Sequence, residues 1–497
     1  MRPSSRKLQF QITDTIIFPV ILLFLLASTQ SCRLDKNINQ VFEPVRANYD
    51  NHTVTIPDGF DYQVLFSEDD TVISNAGILS KAKGSQDMVL YIPINNSSEH
   101  GYLYVNHEEH KPNPILGDGG GGTMFEVIKK QDTWSVIGDF HAIDFSTVGE
   151  TFRNCGGTLT PHETILTTEE EFPLSNEEIY SRFGITDTSD FQGKKKFLNY
   201  GWMIEVDPIA HQAIRKLKIF GRYRHEDAQC MPDGKTIYLT SDNKPAIIFK
   251  FVAAQKGEYS KGQLYAYKQS TDGTSGAWVE LPTEEDSLIN IIEVAVRKNA
   301  SMFISHEWIE AVGDKLYITE SGTNEFDFNT EIAIGGKPAK HLNELCRTDG
   351  NNYKDPFGRI LELDLKTNKL RVLLNGGVSS KDSLFCFSSP DAMTSVRIKD
   401  KDYLVISEDT HGNKNGSASA MVSSKGETYN EVYFLDLSIQ NPTLENLKRF
   451  MVAPEGCETT GNYFTPDGKT YFVSIQHPSS TNPAPFNKSC VIAITGF

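Results

Sequence analysis

Positive charge is scarce in this sequence. The 497-residue chain has 48 Lys and Arg residues against 65 Asp and Glu, which gives a formal net charge of −17 at pH 7. Nucleic-acid-binding domains normally carry a basic patch, so nucleic acid is not an expected partner. The same charge would repel an anionic substrate unless bound cations reverse the local field.

A long uninterrupted apolar run is also missing. The most apolar stretch, residues 16–27, is broken by Pro19 and is shorter than the about 20 residues of a transmembrane helix. Because basic residues precede it near the N-terminus, it fits the apolar region of a secretory signal peptide. We therefore predict that residues 1–31 are a signal peptide.

The end of that segment predicts a lipid anchor. Residues 26–32 (LASTQSC) resemble a bacterial lipobox, in which Cys32 is lipidated and becomes the mature N-terminus. The alternative is a plain signal peptide with a cysteine nearby. With the anchor, residues 32–52 tether the folded domain, residues 53–497, and the protein is a periplasmic or cell-surface lipoprotein of a Gram-negative bacterium.

Cysteine is rare as well, with seven in the whole chain. An even number in an oxidising compartment permits disulfides, but the sequence does not choose among the pairings. The six that remain after Cys32 are Cys155, Cys230, Cys346, Cys386, Cys457 and Cys490.

Strand-like segments, by contrast, recur along the chain. A glycine-led apolar strand followed by a turn and a second strand begins at Gly122, Gly201, Gly262 and Gly358, with a last copy at 430–437. Between the copies stand turns such as the Pro-Asp-Gly sequences, in which proline presets φ and glycine tolerates positive φ. We interpret the strand after each such turn as an outer strand.

This recurrence predicts an all-β fold, and its interval favours a β-propeller of five or six blades. Radial repetition allows one propeller domain to reach this length. The alternative is a β-sandwich. Residues 167–196 interrupt the pattern, and we interpret them as an insertion on one face, with a short helix near residues 175–183.

Acidic and histidine motifs fall between the predicted strands, in what we take to be loops. Equivalent loops of successive blades converge at one end of a propeller channel, where clustered carboxylates cannot all ionise unaided. Calcium accepts 6–8 oxygen ligands, and a thiolate adds affinity for a transition metal. Such a cation cluster can polarise a phosphate and activate water. The motifs are 106–110, 154–157, 160–163, 167–170, 225–228, 305–308, 389–391, 408–411, 456–461 and 476–478.

Taken together, these motifs resemble the PhoX family of alkaline phosphatases. The most specific part is 454–461 (PEGCETTG), followed by 464–473 (FTPDGKTYFV) and 476–478 (QHP). Residues 154–157 (NCGG) are almost as specific. The resemblance implies a propeller that hydrolyses phosphate monoesters at a mixed iron–calcium cluster.

The resemblance also implies roles for individual residues. Cys155 would bind iron, together with the carboxylates of Glu226 and Glu307. The calcium-side ligands would be Asn154, Glu169 and Glu458, and Glu108 and Glu170 are further metal ligands. The predicted catalytic residues are His225, Glu226, His306 and Glu307.

Two departures from the family pattern concern phosphate binding. Where the family has Arg-Pro-Glu, this chain has Ser-His-Glu at 305–307, and Glu455 replaces an arginine expected shortly before the last metal carboxylate. Arginine binds phosphate bidentately, and an acidic side chain cannot. His225, His306 and Arg224 are the candidates to compensate; otherwise the substrate has changed.

Two other functions fit the same carboxylates. A calcium-dependent propeller hydrolase of lactones or other esters would not need Cys155. A non-catalytic surface-binding propeller would use metals only to hold its blades together. Iron with calcium would favour the phosphatase, and calcium alone would favour the lactone hydrolase.

Overall fold

Short apolar strands separated by tight turns fold here into antiparallel sheets. The computed structural model describes residues 41–46, 51–181, 184, 194–381, 385–410 and 429–497. Residues 41–497 form one compact unit. Within the described ranges, no helix has the length and apolar character needed to cross a membrane. The predicted signal peptide, Cys32 and His411 lie outside the described residues.

Six sheets of four to six strands form the blades of the unit, and the first three follow one another along the chain. The first strand, β1 (Asp61–Ser67), belongs to the last sheet. Blade 1 contains β2 (Thr71–Ile73), β3 (Leu79–Lys81), β4 (Gln86–Pro93), β5 (His100–His107), β6 (Gly122–Lys130) and β7 (Thr133–Ala142). Blade 2 contains β8 (Asn154–Leu159), β9 (Ile165–Glu169), β10 (Ile204–Asp207) and β11 (Gln212–Lys216). Blade 3 contains β12 (His225–Cys230), β13 (Thr236–Ser241), β14 (Phe249–Ala253), β15 (Gly262–Gln269) and β16 (Gly276–Glu280).

The second half of the chain supplies the other three blades and three additional strand pairs. Strand β17 (Ser301–Met302) precedes blade 4, which contains β18 (His306–Val312), β19 (Lys315–Glu320), β23 (Arg359–Asp364) and β24 (Lys369–Asn375). Between β19 and β23, β20 (Thr323–Asp327) pairs with β22 (Asn352–Asp355), and β21 (Lys337–Pro338) pairs with β17. The hairpin β25 (Gly377–Val378) and β26 (Cys386–Phe387) leads into blade 5, with β27 (Pro390–Ile398), β28 (Lys401–Glu408), β29 (Glu431–Asp436) and β30 (Lys448–Val452). Blade 6 contains β31 (Glu458–Phe464), β32 (Thr470–Gln476), β33 (Cys490–Thr495) and β1.

The blades close into a ring. Strand β1 pairs antiparallel with β33, with Asp61 opposite Thr495, so the N-terminal strand completes the last blade. One edge strand of each sheet contacts the edge strands of its two neighbours, and together these six surround the channel: β4, β8, β12, β18, β27 and β31. The all-β propeller prediction is therefore confirmed, with six blades, and the sandwich alternative is wrong.

The two repeating sequence patterns occupy defined positions in the blades. The glycine-led copies are β6, β10, β23 and β29, each the third strand from the axis, and β15, the fourth strand of blade 3. The Pro-Asp-Gly turns precede β13 and β32. Both strands pair directly with an inner strand, so their interpretation as outer strands is wrong.

Helices occur only in the connections of the described chain. The predicted insertion contains α1 (Asn176–Ser181), but its first residues belong to β9, so the insertion begins after the second strand of blade 2. Between blades 3 and 4 lie α2 (Glu285–Ile289) and α3 (Ile291–Arg297), and α4 (Asn329–Ala333) follows β20. Single turns of 3-10 helix span Ile94–Asn96, Ser146–Val148, Lys196–Asn199, Lys218–Phe220 and Leu444–Asn446, and a π-helical turn spans Leu342–Cys346.

Part of the predicted tether packs onto the propeller. Phe42 is buried, with its ring centroid 5.1 Å from that of Phe434 and 5.0 Å from that of Phe450. The backbone N–H of Val45 donates to the carbonyl of Arg449 at 3.0 Å. The packed unit thus includes residues 41–46.

Each of the six cysteines that follow Cys32 is buried, and no disulfide joins any of them within the described residues. Five of them lie outside the channel cavity described next, and Cys155 lines it.

Candidate metal centre at one end of the channel

A backbone irregularity recurs in the inner strands. In five of them the antiparallel register shifts between the first residue and the fourth, at 86/89, 154/157, 225/228, 306/309 and 390/393. Such a β-bulge inserts one extra residue and changes the direction of the local side chains. The second residue of these strands is Asp87, Cys155, Glu226, Glu307 and Asp391, in chain order. Each of these five blades thus delivers a potential metal ligand at one end of the channel.

A cavity of about 300 Å³ lies at this end, and every inner strand contributes to its wall. The sixth inner strand supplies Glu458, its first residue. Nine of the thirteen lining residues are carboxylates, joined by one thiol, one imidazole, one guanidinium and one hydroxyl. They are Asp87, Glu108, Arg153, Cys155, Glu170, Glu226, Asp242, Glu307, Ser321, Asp391, Asp409, Glu458 and His477.

Burial and mutual repulsion disfavour the charged forms of these carboxylates. Burial, followed by the charge of neighbouring carboxylates, raises the pKa of Glu226, Glu307, Asp391 and Glu458 well above its usual range. Burial also raises the pKa of Asp87 to about 6. A bound cation removes both penalties, so the donor set fits a metal centre.

Three groups of side chains bring their ligand atoms within 4.8 Å of one another, which is close enough to share an ion. Two of the groups share Asp391, and two share Glu458, so the candidate sites adjoin. The groups are Glu226, Glu307 and Asp391; Asp391, Asp409 and Glu458; and Glu108, Glu458 and His477.

Cys155 adds sulfur to this oxygen-rich set. Its thiol donates a hydrogen bond to Oε1 of Glu226 at 2.9 Å. Burial, with nearby carboxylates such as Asp87, raises the pKa of the thiol well above its usual range. A metal ion would favour the thiolate, and sulfur beside carboxylates suits a transition metal better than calcium.

Neutral side chains orient several of the carboxylates. Ser321 donates a hydrogen bond to Glu307, and Thr460 donates to Oδ1 of Asp87 at 2.7 Å. Gln476 donates to Oε2 of Glu108 at 2.9 Å. Such supporting hydrogen bonds fix the geometry of metal-ligating groups.

Most predicted metal ligands line the cavity, but two do not. Asn154 accepts hydrogen bonds from the N–H of Gly121 and from Thr151, at 2.7 and 3.0 Å. Glu169 is fully buried, accepts two backbone N–H bonds through Oε2, and pairs with Lys216 at 3.0 Å. Both side chains therefore hold the loops of blade 2 together outside the cavity wall, whereas Glu108, Cys155, Glu170, Glu226, Glu307 and Glu458 line it.

The two predicted catalytic histidines also lie outside the cavity wall. The ring of His225 stacks on Tyr223 with centroids 3.6 Å apart and bonds to the carbonyl of Gly221 at 2.9 Å. His306 is fully buried near Glu320. Successive strand residues point to opposite sides, so each histidine turns away where the following glutamate turns inward. Neither ring lines the cavity, and the assignment of these two histidines as catalytic residues stays a prediction.

Burial keeps both histidines neutral. It lowers the pKa of His225 to about 3 and that of His306 to about 4. A neutral, enclosed imidazole cannot compensate for a missing phosphate-binding arginine. Arg224, the third candidate, pairs with Glu171 at 2.6 Å and with Asp242 at 3.1 Å.

Sequence reasoning missed four residues of the cavity wall: Asp87, Arg153, Asp242 and Ser321. Asp87 stands two residues before the apolar segment 89–92, and Glu226 stands two residues before Ala228. This shared position at the start of an inner strand was the signal that could have identified Asp87. Asp242 directly follows β13, and Arg153 directly precedes the Asn-Cys motif. Nothing in the sequence alone distinguishes these two from surface charges.

A second cavity, of about 740 Å³, opens among the later residues of the inner strands. Its wall includes Asp227, Glu310 and Arg397, but also many backbone and apolar groups. It lacks the convergence of carboxylates and thiol that marks the first cavity.

Comparisons with known proteins agree with this architecture. A sequence model of the family described as alkaline phosphatase PhoX matches residues 132–479. The structure of Pseudomonas fluorescens PhoX in complex with vanadate, a transition state analogue, superposes with a TM-score of 0.70 at 20% identity, covering 92% of this chain and 98% of that one. Trypanosoma rangeli sialidase in complex with sialic acid reaches a TM-score of 0.41 at 10% identity, covering 88% and 59% of the two chains. No curated protein matches this chain in sequence.

Proposed function

Because the chain belongs to the PhoX family of alkaline phosphatases, it is a phosphatase, and we propose that it hydrolyses phosphate monoesters at a metal centre in the carboxylate-lined cavity. The observation that carries the proposal is the convergence of one potential ligand from each of six blades at one end of the channel. Surface carboxylates would not produce such a sixfold arrangement.

The candidate ligands form separate sites that suit different metal ions. Glu226, Glu307 and Asp391 form one oxygen site, beside the Cys155 thiol, and we assign iron there because sulfur favours a transition metal. Asp391, Asp409 and Glu458, with Glu108 and His477 beyond, form sites that suit calcium. Cations bound there would polarise the phosphoryl oxygens and lower the pKa of water.

The protein's own side chains supply the remaining conditions for the reaction. Ser321, Thr460 and Gln476 hold three carboxylates in fixed orientations, which limits reorganisation when charge develops on the phosphoryl group. Six of the lining residues are buried, which limits the access of bulk water to their ligand atoms: Asp87, Glu108, Cys155, Glu226, Asp391 and Glu458. Electrostatic attraction in such a site is stronger than it would be in water.

The test combines metal analysis with an assay. Purified protein loaded with iron and calcium is expected to hydrolyse p-nitrophenyl phosphate, and Cys155→Ser and Glu307→Gln are each expected to reduce both bound iron and turnover. Cys230→Ser and Glu362→Gln are matched controls: Cys230 is another buried free cysteine, and Glu362 pairs with Arg371 outside the cavity. Full iron content and turnover in both cavity variants would contradict the site.

Two other outcomes would support a different function. Calcium without iron, with turnover of a lactone, would favour the lactone hydrolase. Bound metal with no turnover of any ester would favour a binding propeller.

We also propose that the chain is exported and anchored through a lipid on Cys32, because residues 1–32 combine basic residues, a short apolar stretch and a lipobox-like end. Cys32→Ala is then expected to move the protein from the membrane fraction to the soluble fraction. Continued membrane association of that variant would contradict the anchor.

A further inference from the structure

The cavity contains one permanent cation. Of its thirteen lining residues only Arg153 carries a charge that is positive at every working pH, and His477 is the only other nitrogen base. Nine carboxylates surround them. The positions at which the family pattern has phosphate-binding arginines are here His306, which points away from the cavity, and Glu455, which does not line it.

Arg153 reaches the cavity from the loop before β8. Its φ of 44° is uncommon for a residue other than glycine, and its side chain lines the cavity, where it contacts residues of blades 1 and 2. Nε and Nη2 donate to Oε2 of Glu170 at 3.2 and 2.9 Å, and Nη2 also contacts Glu108. The side chain keeps 23% of its surface exposed, so it stays accessible from the cavity mouth.

The carboxylates around Arg153 are themselves candidate metal ligands. Glu108 belongs to the group that it forms with Glu458 and His477. A cation held by that group would compete with Arg153 for the Glu108 carboxylate, and the guanidinium would then have donors free for another acceptor. A guanidinium has five donors in a fork that matches phosphate oxygens, and a bound phosphate anion is such an acceptor.

We propose that Arg153 is the phosphate-binding arginine of this protein, with its guanidinium on the non-bridging oxygens of the substrate phosphate. The inference rests on the proposed function, since it assigns a role within the same site. Arg153 thereby takes the place of the family arginines that this chain lacks. Arg224 is less suited, because Glu171 and Asp242 already occupy its guanidinium and it does not line the cavity.

The experiment measures phosphate binding separately from turnover. Wild type, Arg153→Gln and Arg153→Lys are loaded with iron and calcium, and inorganic phosphate is titrated by calorimetry; iron and calcium contents and KM for p-nitrophenyl phosphate are measured on the same samples. The control is Arg215→Gln, which removes an arginine of blade 2 that pairs with Glu205 away from the cavity. We expect Arg153→Gln to retain its metals and to weaken phosphate binding about 10- to 150-fold, the range for a lost charged hydrogen bond. Arg153→Lys should fall between it and wild type, and the control should match wild type.

Two results would overturn the inference. The first is an unchanged phosphate affinity in Arg153→Gln. The second is a loss of metal from Arg153→Gln with an unchanged phosphate affinity at the sites that remain loaded, because Arg153 would then only position Glu108 and Glu170. Failure of the proposed function is distinct: wild type that binds phosphate without turnover refutes the hydrolase while the affinity ratio still decides the role of Arg153. Wild type that binds no phosphate refutes both.

Discussion

Without metal ions, the carboxylates of the cavity should make the protein less stable as the pH rises. The substitution Asp87→Asn measures how much Asp87 contributes to that loss of stability. The side chain of Asp87 is 1% exposed, and burial raises its pKa from 3.8 to about 6. Asparagine has nearly the same shape, cannot ionise, and keeps an oxygen to accept the hydrogen bond from Thr460. The substitution therefore removes the charge and little else.

The direction in which stability changes with pH follows from the direction of the pKa shift of Asp87. Below pH 3.8 the carboxyl is protonated in the folded and the unfolded chain, and it contributes no difference. As the pH rises, the unfolded chain loses the proton first, so the folded state is penalised increasingly until the pH passes about 6. At about 1.4 kcal/mol per pKa unit, the full penalty is about 3 kcal/mol at pH 8 and about 1 kcal/mol at pH 4.5.

The assay is urea denaturation in EDTA at these two pH values. Asp87→Asn is expected to raise the free energy of unfolding by up to about 3 kcal/mol at pH 8 and by about 1 kcal/mol at pH 4.5. With calcium present the order should reverse, because wild type binds the ion more tightly and gains more stability by mass action. Asp233→Asn is the control: hydrogen bonds to the backbone of Thr236 and Lys235 outweigh burial and lower the pKa of that exposed turn residue, so its substitution should destabilise the protein at pH 8. A metal-free Asp87→Asn variant that is no more stable than wild type at pH 8 would refute the reasoning.

Three further predictions follow from the packing. His225→Gln should leave kcat and metal content within about threefold of wild type while lowering stability by roughly 1–3 kcal/mol, because the ring packs outside the cavity; a large loss of kcat with normal metal content would restore His225 to the catalytic machinery. Arg359→Met should cost about 3–5 kcal/mol in urea denaturation, since it removes the guanidinium from two buried carboxylates, Asp355 and Glu320, of which Glu320 keeps His341. Arg371→Met should cost less than about 1 kcal/mol, because Arg371 is 32% exposed and its partner Glu362 keeps Lys315; equal costs would contradict this difference. Phe450→Ala should cost about 3–5 kcal/mol through the cavity left in the aromatic cluster of blades 5 and 6, and a loss below 1 kcal/mol would show that the cluster collapses around the gap.

The strands were predictable because their signals are local. Alternating apolar residues, glycine-led strands and Pro-Asp-Gly turns act over fewer than ten residues, and they correctly indicated β6, β15, β23 and β32. The position of each strand within its blade, by contrast, is not determined by a local signal. A Pro-Asp-Gly turn indicates that a strand follows but not its position in a blade, and only pairing with β12 and β31 shows that β13 and β32 are second from the axis.

The candidate site also has features that the sequence predicted and features that only the tertiary structure shows. The sequence by itself determined that His-Glu, Asn-Cys and Cys-Glu motifs recur at blade intervals, which was enough to indicate Cys155, Glu226, Glu307 and Glu458 as neighbours in space. It also indicated a metal site, because oxygen and sulfur ligands in that number suit metal ions.

Only the tertiary structure decided which member of each pair faces the channel. Neighbouring residues of a strand point to opposite sides. Which of them points inward depends on a β-bulge, and the register of that bulge is set by the partner strand. That register turns Glu226 inward and His225 outward. The number of blades and the placement of Arg153 between Glu108 and Glu170 were decided the same way, by contacts between segments far apart in sequence, on which local patterns carry no information.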